Sequence, residues 1–220
     1  MHKEKRTVSN YDKQVDIGRT YFLKYDQNTL AAKFHLQMDD SYIYIRYLGT
    51  PCRIERKSGA VYEKKGADFC ECRSFETVMT IYDMLCHSQE KEMAGLSGRW
   101  TPVANFAAAG ASPSTDIFSQ KFADAFSGKT KELEKACVQL DGTLLPRLAG
   151  ADITARIQAF SFFPVLFQFW EGDDEFAPQI KILWDDQTMQ YLNFETTYYL
   201  QGDLLGRLLQ MISDEEITRR

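Results

Sequence analysis

The sequence lacks a surplus of positive charge and lacks a long apolar run. Its 220 residues carry 26 Lys and Arg against 31 Asp and Glu, a formal net charge of −5. Nucleic-acid binders usually present a basic face to the phosphates, so the composition argues against nucleic acid as a partner, although net charge does not describe a local patch. The most apolar run, 159–170, is interrupted by Ser161, Pro164 and Gln168. A membrane-spanning helix needs about 20 apolar residues, so we expect no membrane segment.

The N-terminal residues are charged or polar where a secretory signal would need an apolar stretch. Residues 2–6 are almost all charged, and polar residues follow as far as Asn10. No signal peptide is therefore visible, and the expected location is cytoplasmic. We expect residues 1–10 to form a flexible tail.

Cysteine is too sparse for a disulfide scaffold, and its spacing does not match a metal-binding pattern. The five cysteines are Cys52, Cys70, Cys72, Cys86 and Cys137. An odd number in a chain of this length favours reduced thiols. Zinc sites use tight C-x-x-C pairs and iron–sulfur sites use four-cysteine runs, and neither occurs in the sequence. Cys70 and Cys72 with Cys86-His87 stay open as a weaker candidate for a metal site.

Motifs for nucleotide binding, zinc proteolysis and serine hydrolysis are also absent. The sequence has no glycine-rich phosphate loop, no H-E-x-x-H and no G-x-S-x-G. Only His2, His35 and His87 are present, so a Ser or Cys nucleophile has few possible bases. The catalytic residues and the cofactor therefore stay unassigned, and the sequence favours a protein that is not an enzyme.

The spacing of apolar residues predicts a mixture of helices and antiparallel strands. Helices are predicted over 11–26, 30–36, 74–88, 116–127, 130–140 and 194–212, and strands over 41–48, 52–56, 60–63, 153–161, 164–170 and 179–184. The predicted class is α+β, with an N-terminal three-strand meander and a C-terminal hairpin region packed with several helices. We expect a single domain over 11–220, with the small-residue segment 106–115 as a candidate internal seam.

One dense polar group stands out, the acidic turn 171–175 that joins the last two predicted strands. Asp173, Asp174 and Glu175 lie beside Trp170, and an aromatic ring next to carboxylates suits a cationic ligand. We take these four residues, with Trp100, as tentative ligand-binding residues. The alternative interpretation is a hairpin loop made soluble by its acids. Asp185 and Asp186 end the return strand about 20 Å away, so they belong to a different place.

The segment 167–185, followed by 191–195, resembles domain of unknown function 3786, an uncharacterised family of anaerobic bacteria and archaea. The family signature is a strand, a Gly-Asp-x-Glu-Phe-Pro-like turn, a strand ending in Asp, and a Tyr-Leu-x-x-Glu step into a helix. The resemblance covers about residues 15–210 and carries over to Gly172, Asp173, Glu175, Phe176, Pro178, Asp185 and Glu195. Ala177 departs from the family pattern, because many relatives have Phe and Pro adjacent. Some relatives are joined to iron–sulfur or corrinoid-associated modules, which implies an association with that metabolism but no cluster in this chain.

These observations lead to one expectation and two alternatives. We expect a non-catalytic module that binds a small molecule or a partner protein around the corner formed by Trp170 and the acidic turn. The first alternative is a metal-dependent hydrolase or transferase that uses Asp173, Asp174 and Glu175. The second is a purely structural interaction protein, which would show an exposed apolar patch and no pocket near Trp170.

Overall fold

The fold is known from a computed structural model, which describes residues 10–87, 95–106 and 115–218. These residues form six α-helices and nine β-strands. The helices are α1 (Asn10–Lys24), α2 (Gln27–Lys33), α3 (Phe75–Cys86), α4 (Thr115–Phe126), α5 (Thr130–Gln139) and α6 (Phe194–Thr218). The strands are β1 (Tyr42–Tyr47), β2 (Thr50–Glu55), β3 (Val61–Lys65), β4 (Asp68–Glu71), β5 (Trp100–Pro102), β6 (Gly142–Leu144), β7 (Ile153–Phe160), β8 (Phe163–Trp170) and β9 (Gln179–Asp185).

All nine strands join one antiparallel sheet, so the α+β class is confirmed. The strand order is β4-β3-β2-β1-β7-β8-β9-β5, and β6 pairs with the middle of β7. The N-terminal meander meets the C-terminal strands through β1 and β7, where Tyr47 lies opposite Phe160. Among the described helices, none is long and apolar enough to cross a membrane.

The helices pack against one face of this sheet. Helices α1, α3 and α6 contact one another, α4 lies along β9, and α5 lies against β6 and β7. On the meander, the covered face is that of Ile43, Ile45 and Tyr47, which are all buried. The hydroxyl of Tyr82 in α3 donates to the carbonyl of Gly59, which fixes this helix to the β2–β3 turn.

A polar cluster lies inside this helix–sheet interface. Arg207 of α6 donates to Asp203 at 2.9 Å, to Thr50 of β2 at 3.0 Å and to Thr77 of α3 at 3.3 Å. Its guanidinium also lies 3.9 Å from Glu63 of β3. One cation therefore connects the last helix to α3 and to two strands of the meander.

The structure corrects several predicted elements. Helix α2 begins at Gln27, three residues earlier than predicted, because the Asp26 carboxylate accepts from the N–H groups of Asn28 and Thr29 and so caps it. Three short strands, β4, β5 and β6, have no counterpart in the prediction. Strands of three or four residues are too short to show an alternating pattern, and only their pairing partners reveal them.

The predicted tail and seam fall largely outside the described residues. Asn10 opens α1 rather than ending a tail, and residues 1–9 are not described. Of the candidate seam 106–115, Phe106 ends a short 3₁₀ helix and Thr115 opens α4, whereas residues 107–114 lie outside the described chain.

Candidate functional site

The acidic turn is organised by Asp173. Its Oδ1 accepts from the N–H groups of Glu175 at 2.8 Å and Phe176 at 2.7 Å, and its own N–H donates to the carbonyl of Phe176 at 2.9 Å. These backbone hydrogen bonds hold the pKa of the Asp173 carboxyl below its ordinary value. The Asp173 carboxylate, which we expected to bind a ligand, therefore accepts hydrogen bonds that shape its own loop.

Glu171 and Trp170, at the base of the turn, also have partners within the protein. The Glu171 carboxylate accepts from the hydroxyls of Ser127 and Thr130 and from the N–H of Gly128, so it ties the turn to the start of α5. Trp170 donates its indole N–H to the carbonyl of Ala149 at 3.3 Å. The ammonium of Lys181 lies 5.4 Å from the centre of the Trp170 ring, so the protein itself supplies a cation for this aromatic face.

The remaining groups of the turn face solvent. Asp174 and Glu175 are exposed, and Phe176 is 66% exposed. A cavity of about 370 Å³ lies nearby, but Ser119, Gln120, Gln179, Ile180 and Lys181 line it. Within the described residues, no group of three or more His, Cys, Asp or Glu side chains is arranged to hold a metal ion. The lining of this cavity therefore includes no residue of the turn.

Trp100 does not join Trp170. Trp100 lies on β5 opposite Asp185, whereas Trp170 lies opposite Gln179 at the other end of β9. Six residues of strand separate these positions, which corresponds to about 20 Å. The structure keeps the two tryptophans apart and brings Trp170, Asp173, Asp174 and Glu175 into one exposed corner.

Asp185 is buried at the end of β9 and holds the preceding loop. Its carboxylate accepts from the N–H groups of Ser97 at 3.1 Å, Gly98 at 2.7 Å and Gln187 at 2.9 Å. Gly98 has a φ of +74°, which lets two successive N–H groups converge on one carboxylate. Asp185 thus fills an anion-binding nest of the chain itself, and its role is structural.

A different surface, which the sequence reasoning missed, is the face of the meander turned away from the helices. We call this surface the open face; it comprises Tyr42, Tyr44 and Arg46 of β1, Pro51, Arg53 and Glu55 of β2, Tyr62 and Lys64 of β3, and Phe69 and Glu71 of β4. The strand registers align these residues in rows across the sheet, such as Tyr44, Arg53, Tyr62 and Glu71. The open face is therefore rich in aromatic rings and carries three cations.

The centre of the open face is the guanidinium of Arg53. Its central carbon lies 4.1 Å from the centre of the Tyr42 ring, 4.3 Å from that of Phe69 and 5.5 Å from that of Tyr62. Its Nε is buried and has no hydrogen-bond partner, and no carboxylate of the described residues forms an ion pair with Arg53. Rings that stack on a guanidinium occupy its faces and leave its in-plane N–H donors unpaired, although the Nε–H of Arg53 is closed to solvent.

A shallow trough adjoins this cluster. It measures about 280 Å³, and its lining includes the rings of Tyr44 and Phe69 together with His35, Gln37, Arg46 and Ser161. Phe69 belongs to both features, because one of its faces stacks on Arg53 while the ring lines the trough. Arg46 donates to Asp141 through Nη2 at 2.9 Å, so its charge is already balanced.

Comparison with protein families agrees with the motif in the sequence. The model of the family described as domain of unknown function 3786 matches residues 26–207 of the 220-residue chain. The chain belongs to this family. Comparisons with curated proteins and with solved structures give no match.

The family-motif residues of the turn have structural roles. A Cβ on Gly172 would come within 2.7 Å of the Pro178 ring, so the close contact of these two residues requires glycine. Glu195, in the first turn of α6, accepts from the hydroxyl of Tyr199 at 2.6 Å. Together with Asp173 and Asp185, these residues shape loops and helix ends, whereas Glu175 and Phe176 project into solvent.

The sequence did contain a signal for the open face. Tyr42, Tyr44 and Arg46 occupy the alternate positions of β1 that point away from its buried residues. Polar side chains usually fill such positions, so aromatic rings there indicate a surface with a further use. The register that sets Arg53 among those rings, however, is a tertiary feature.

Proposed function

We propose that the protein is a non-catalytic binding module that takes a ligand bearing an oxyanion, a carboxylate or a phosphate, on the open face of its meander. The observation that carries the proposal is Arg53, a half-buried guanidinium held among three rings with a buried Nε that has no partner. A guanidinium matches the planar geometry of an oxyanion with two parallel hydrogen bonds, which makes it a selective partner for such groups.

The surroundings of Arg53 support the same chemistry. The rings of Tyr42 and Phe69 hold the side chain in place, so binding requires little loss of side-chain freedom. The adjacent trough adds two aromatic walls and the polar groups of His35, Gln37 and Ser161. At about 280 Å³ it is close to the lower end of the range for small-molecule pockets.

Nuclear magnetic resonance of the arginine Nε–H groups tests the proposal directly. Pyrophosphate and benzoate are titrated separately, and the signal of Arg53 is assigned from its loss in Arg53→Gln. At least one of the two anions is expected to shift the Arg53 signal along a saturable curve. Arg99 is the control, because its guanidinium is exposed and already paired with Asp186.

Two variants separate charge from geometry. Arg53→Gln should abolish the saturable response, whereas Arg53→Lys keeps the charge but loses the planar fork and should weaken binding at least tenfold. Thermal melting must show that both variants remain folded. If both anions shift Arg53 no more than Arg99, the proposal is wrong.

As a second proposal, the acidic turn binds a cationic ligand through its exposed residues Asp174, Glu175 and Phe176. Its test is the double variant Asp173→Ala with Glu175→Ala, examined for loss of binding to divalent cations and aminated ligands. Retention of that binding by the folded double variant would count against it. A metal-dependent activity at this turn has no supporting arrangement of ligands among the described residues.

We also propose a cytoplasmic location, supported by five free cysteines, since reducing compartments keep thiols unpaired. An association with iron–sulfur or corrinoid metabolism rests on the family resemblance alone. Fractionation of the native host cells tests the location, and recovery of the protein outside the cytoplasm would contradict it.

A further inference from the structure

We infer that the ligand of the open face is single-stranded nucleic acid, bound across the strands of the meander. This inference rests on the proposed function, because it assigns the oxyanion of that proposal to a backbone phosphate. It also departs from the expectation drawn from net charge, since a net charge of −5 does not describe one face of the molecule.

The architecture of the open face is the first support. Strands β1–β4 form an antiparallel sheet, the described helices pack on one side of it, and the other side presents the half-buried rings of Tyr42, Tyr44, Tyr62 and Phe69. Four strands at about 4.8 Å spacing give a platform roughly 14 Å wide. Four-stranded sheets with exposed aromatic rings stack two or three unpaired bases in known modes of RNA recognition.

The distribution of charge selects a path over this platform. The row of Arg46 and Pro51, continued by Lys64 and Phe69, contains no carboxylate of its own, whereas Glu71 lies in the next row and Glu55 in the row beyond it. The trough follows the carboxylate-free row, because Arg46, Pro51 and Phe69 all line it. Two carboxylates border the trough, since Asp141 pairs with Arg46 and Asp39 accepts from the Tyr44 hydroxyl at 2.6 Å. Among the rows of the open face itself, a polyanion meets least repulsion along the row over the trough.

The side chains along this path suit both the base and the phosphate of a nucleotide. The rings of Tyr44 and Phe69 line the trough and can stack with bases, which is a sequence-tolerant interaction. Arg53 and the exposed Lys64 lie beside them and can each neutralise one phosphate. Arg46 contributes less, because Asp141 already balances it.

The experiment measures fluorescence anisotropy of labelled oligouridylates of one, three and six nucleotides with the full chain. Affinity should rise at least tenfold from one to three nucleotides and then level off, because the platform holds two or three bases. Two phosphate contacts at about −0.7 each predict a slope of about −1.4 for log affinity against log salt concentration.

Tyr44→Leu tests stacking without removing Arg53. It should weaken binding of the hexanucleotide at least fivefold and leave the response of Arg53 to pyrophosphate intact, because the rings that lie over the guanidinium are those of Tyr42, Tyr62 and Phe69. The matched control is Tyr21→Leu, which removes an exposed tyrosine from α1 and should change neither measurement.

The outcomes distinguish this inference from the proposed function. If pyrophosphate or benzoate binds at Arg53 but the hexanucleotide binds no better than the mononucleotide, the inference is overturned and the proposed function stands. If a hexaglutamate peptide displaces the hexanucleotide with equal affinity, the face recognises acidic protein segments and the inference also fails. If none of the probes reaches Arg53, both proposals fail.

Discussion

Replacing Arg207 with Met should destabilise the fold more than replacing an exposed, paired arginine such as Arg99. Arg207 joins Asp203, Thr50 and Thr77 through hydrogen bonds and lies 3.9 Å from Glu63. Burial opposes its charge, but the Asp203 carboxylate outweighs that effect, so the pKa of Arg207 lies above its ordinary value. Methionine keeps much of the side-chain volume and removes only the cation and its donors.

The magnitude follows from burial of the partners. The side chains of Arg207, Asp203 and Glu63 are 18%, 12% and 14% exposed, so water screens them weakly. Removing one member of a buried ion pair costs about 3–5 kcal/mol, because the other charge is left without compensation. For a domain of 150–250 residues, 1 kcal/mol shifts the melting temperature by about 2–4 °C, so the expected fall is roughly 6–20 °C.

Urea denaturation followed by circular dichroism measures this loss as a change in the midpoint at constant slope. Arg99→Met is the matched control, since Arg99 also pairs with an aspartate but is 75% exposed, and a loss below about 1 kcal/mol is expected. Arg207→Met with Asp203→Asn should recover part of the loss, because it removes the stranded charge. Equal losses for Arg207→Met and Arg99→Met would refute the reasoning.

Three further predictions concern pH, glycine and thiols. Burial raises the pKa of Glu171, but hydrogen bonds from its partners at the start of α5 outweigh it, so the pKa is lowered and the carboxylate stabilises the fold at neutral pH. This contribution is lost as the pH falls below the unfolded pKa of about 4.3, so urea midpoints of wild type and Glu171→Gln should converge there, and parallel curves would contradict the prediction. In melting experiments, Gly142→Ala should lower the free energy of unfolding by about 1–3 kcal/mol, because the added Cβ collides with the carbonyl of Cys137. Gly206→Ala should raise it by about 0.5–1 kcal/mol, because nothing lies within 4 Å of the added Cβ. A more stable Gly142→Ala or a less stable Gly206→Ala would refute the packing argument. In a thiol titration of native protein, the exposed Cys70 alone should react fast, and a second fast thiol would be inconsistent with the structure. Burial raises the pKa of the others, to about 11 for Cys72, to about 12 for Cys52 and Cys86, and further for Cys137.

Local signals in the sequence predicted most of the helices and the longer strands. Ser74 caps α3, because its hydroxyl accepts from the N–H of Thr77. Strands β7, β8 and β9 are long enough to show their pattern, and the predicted hairpin of β8 and β9 is confirmed, with β7 pairing on the other side of β8. The link between β1 and β7 was not predicted, because a single residue pair, Tyr47 and Phe160, brings together segments more than a hundred residues apart.

The candidate site was harder to predict because a carboxylate in a sequence does not reveal its partners. Asp173 and Glu171 are adjacent to the free acids Asp174 and Glu175, yet the first two are engaged by hydrogen bonds and the last two are exposed. The sequence shows where the acids of this turn lie on the chain but not which of them shape the loop and which are exposed. For Glu171 that distinction depends on Ser127 and Thr130, which lie more than forty residues away, whereas Asp173 is engaged by the N–H groups of Glu175 and Phe176 in its own turn.

The same reasoning explains why the family motif and the open face lie in different parts of the sheet. Asp173, Gly172 and Asp185 hold loops whose shape tolerates few alternatives, so they form a recognisable pattern within one short segment. A binding face assembled across β1–β4 draws two or three residues from each strand, and no short segment contains it. Arg53 becomes distinctive only when strand pairing places its guanidinium among rings of β1, β3 and β4. The compact family motif therefore marks residues that the loops require. The candidate binding face consists instead of residues that the strand register of β1–β4 brings together.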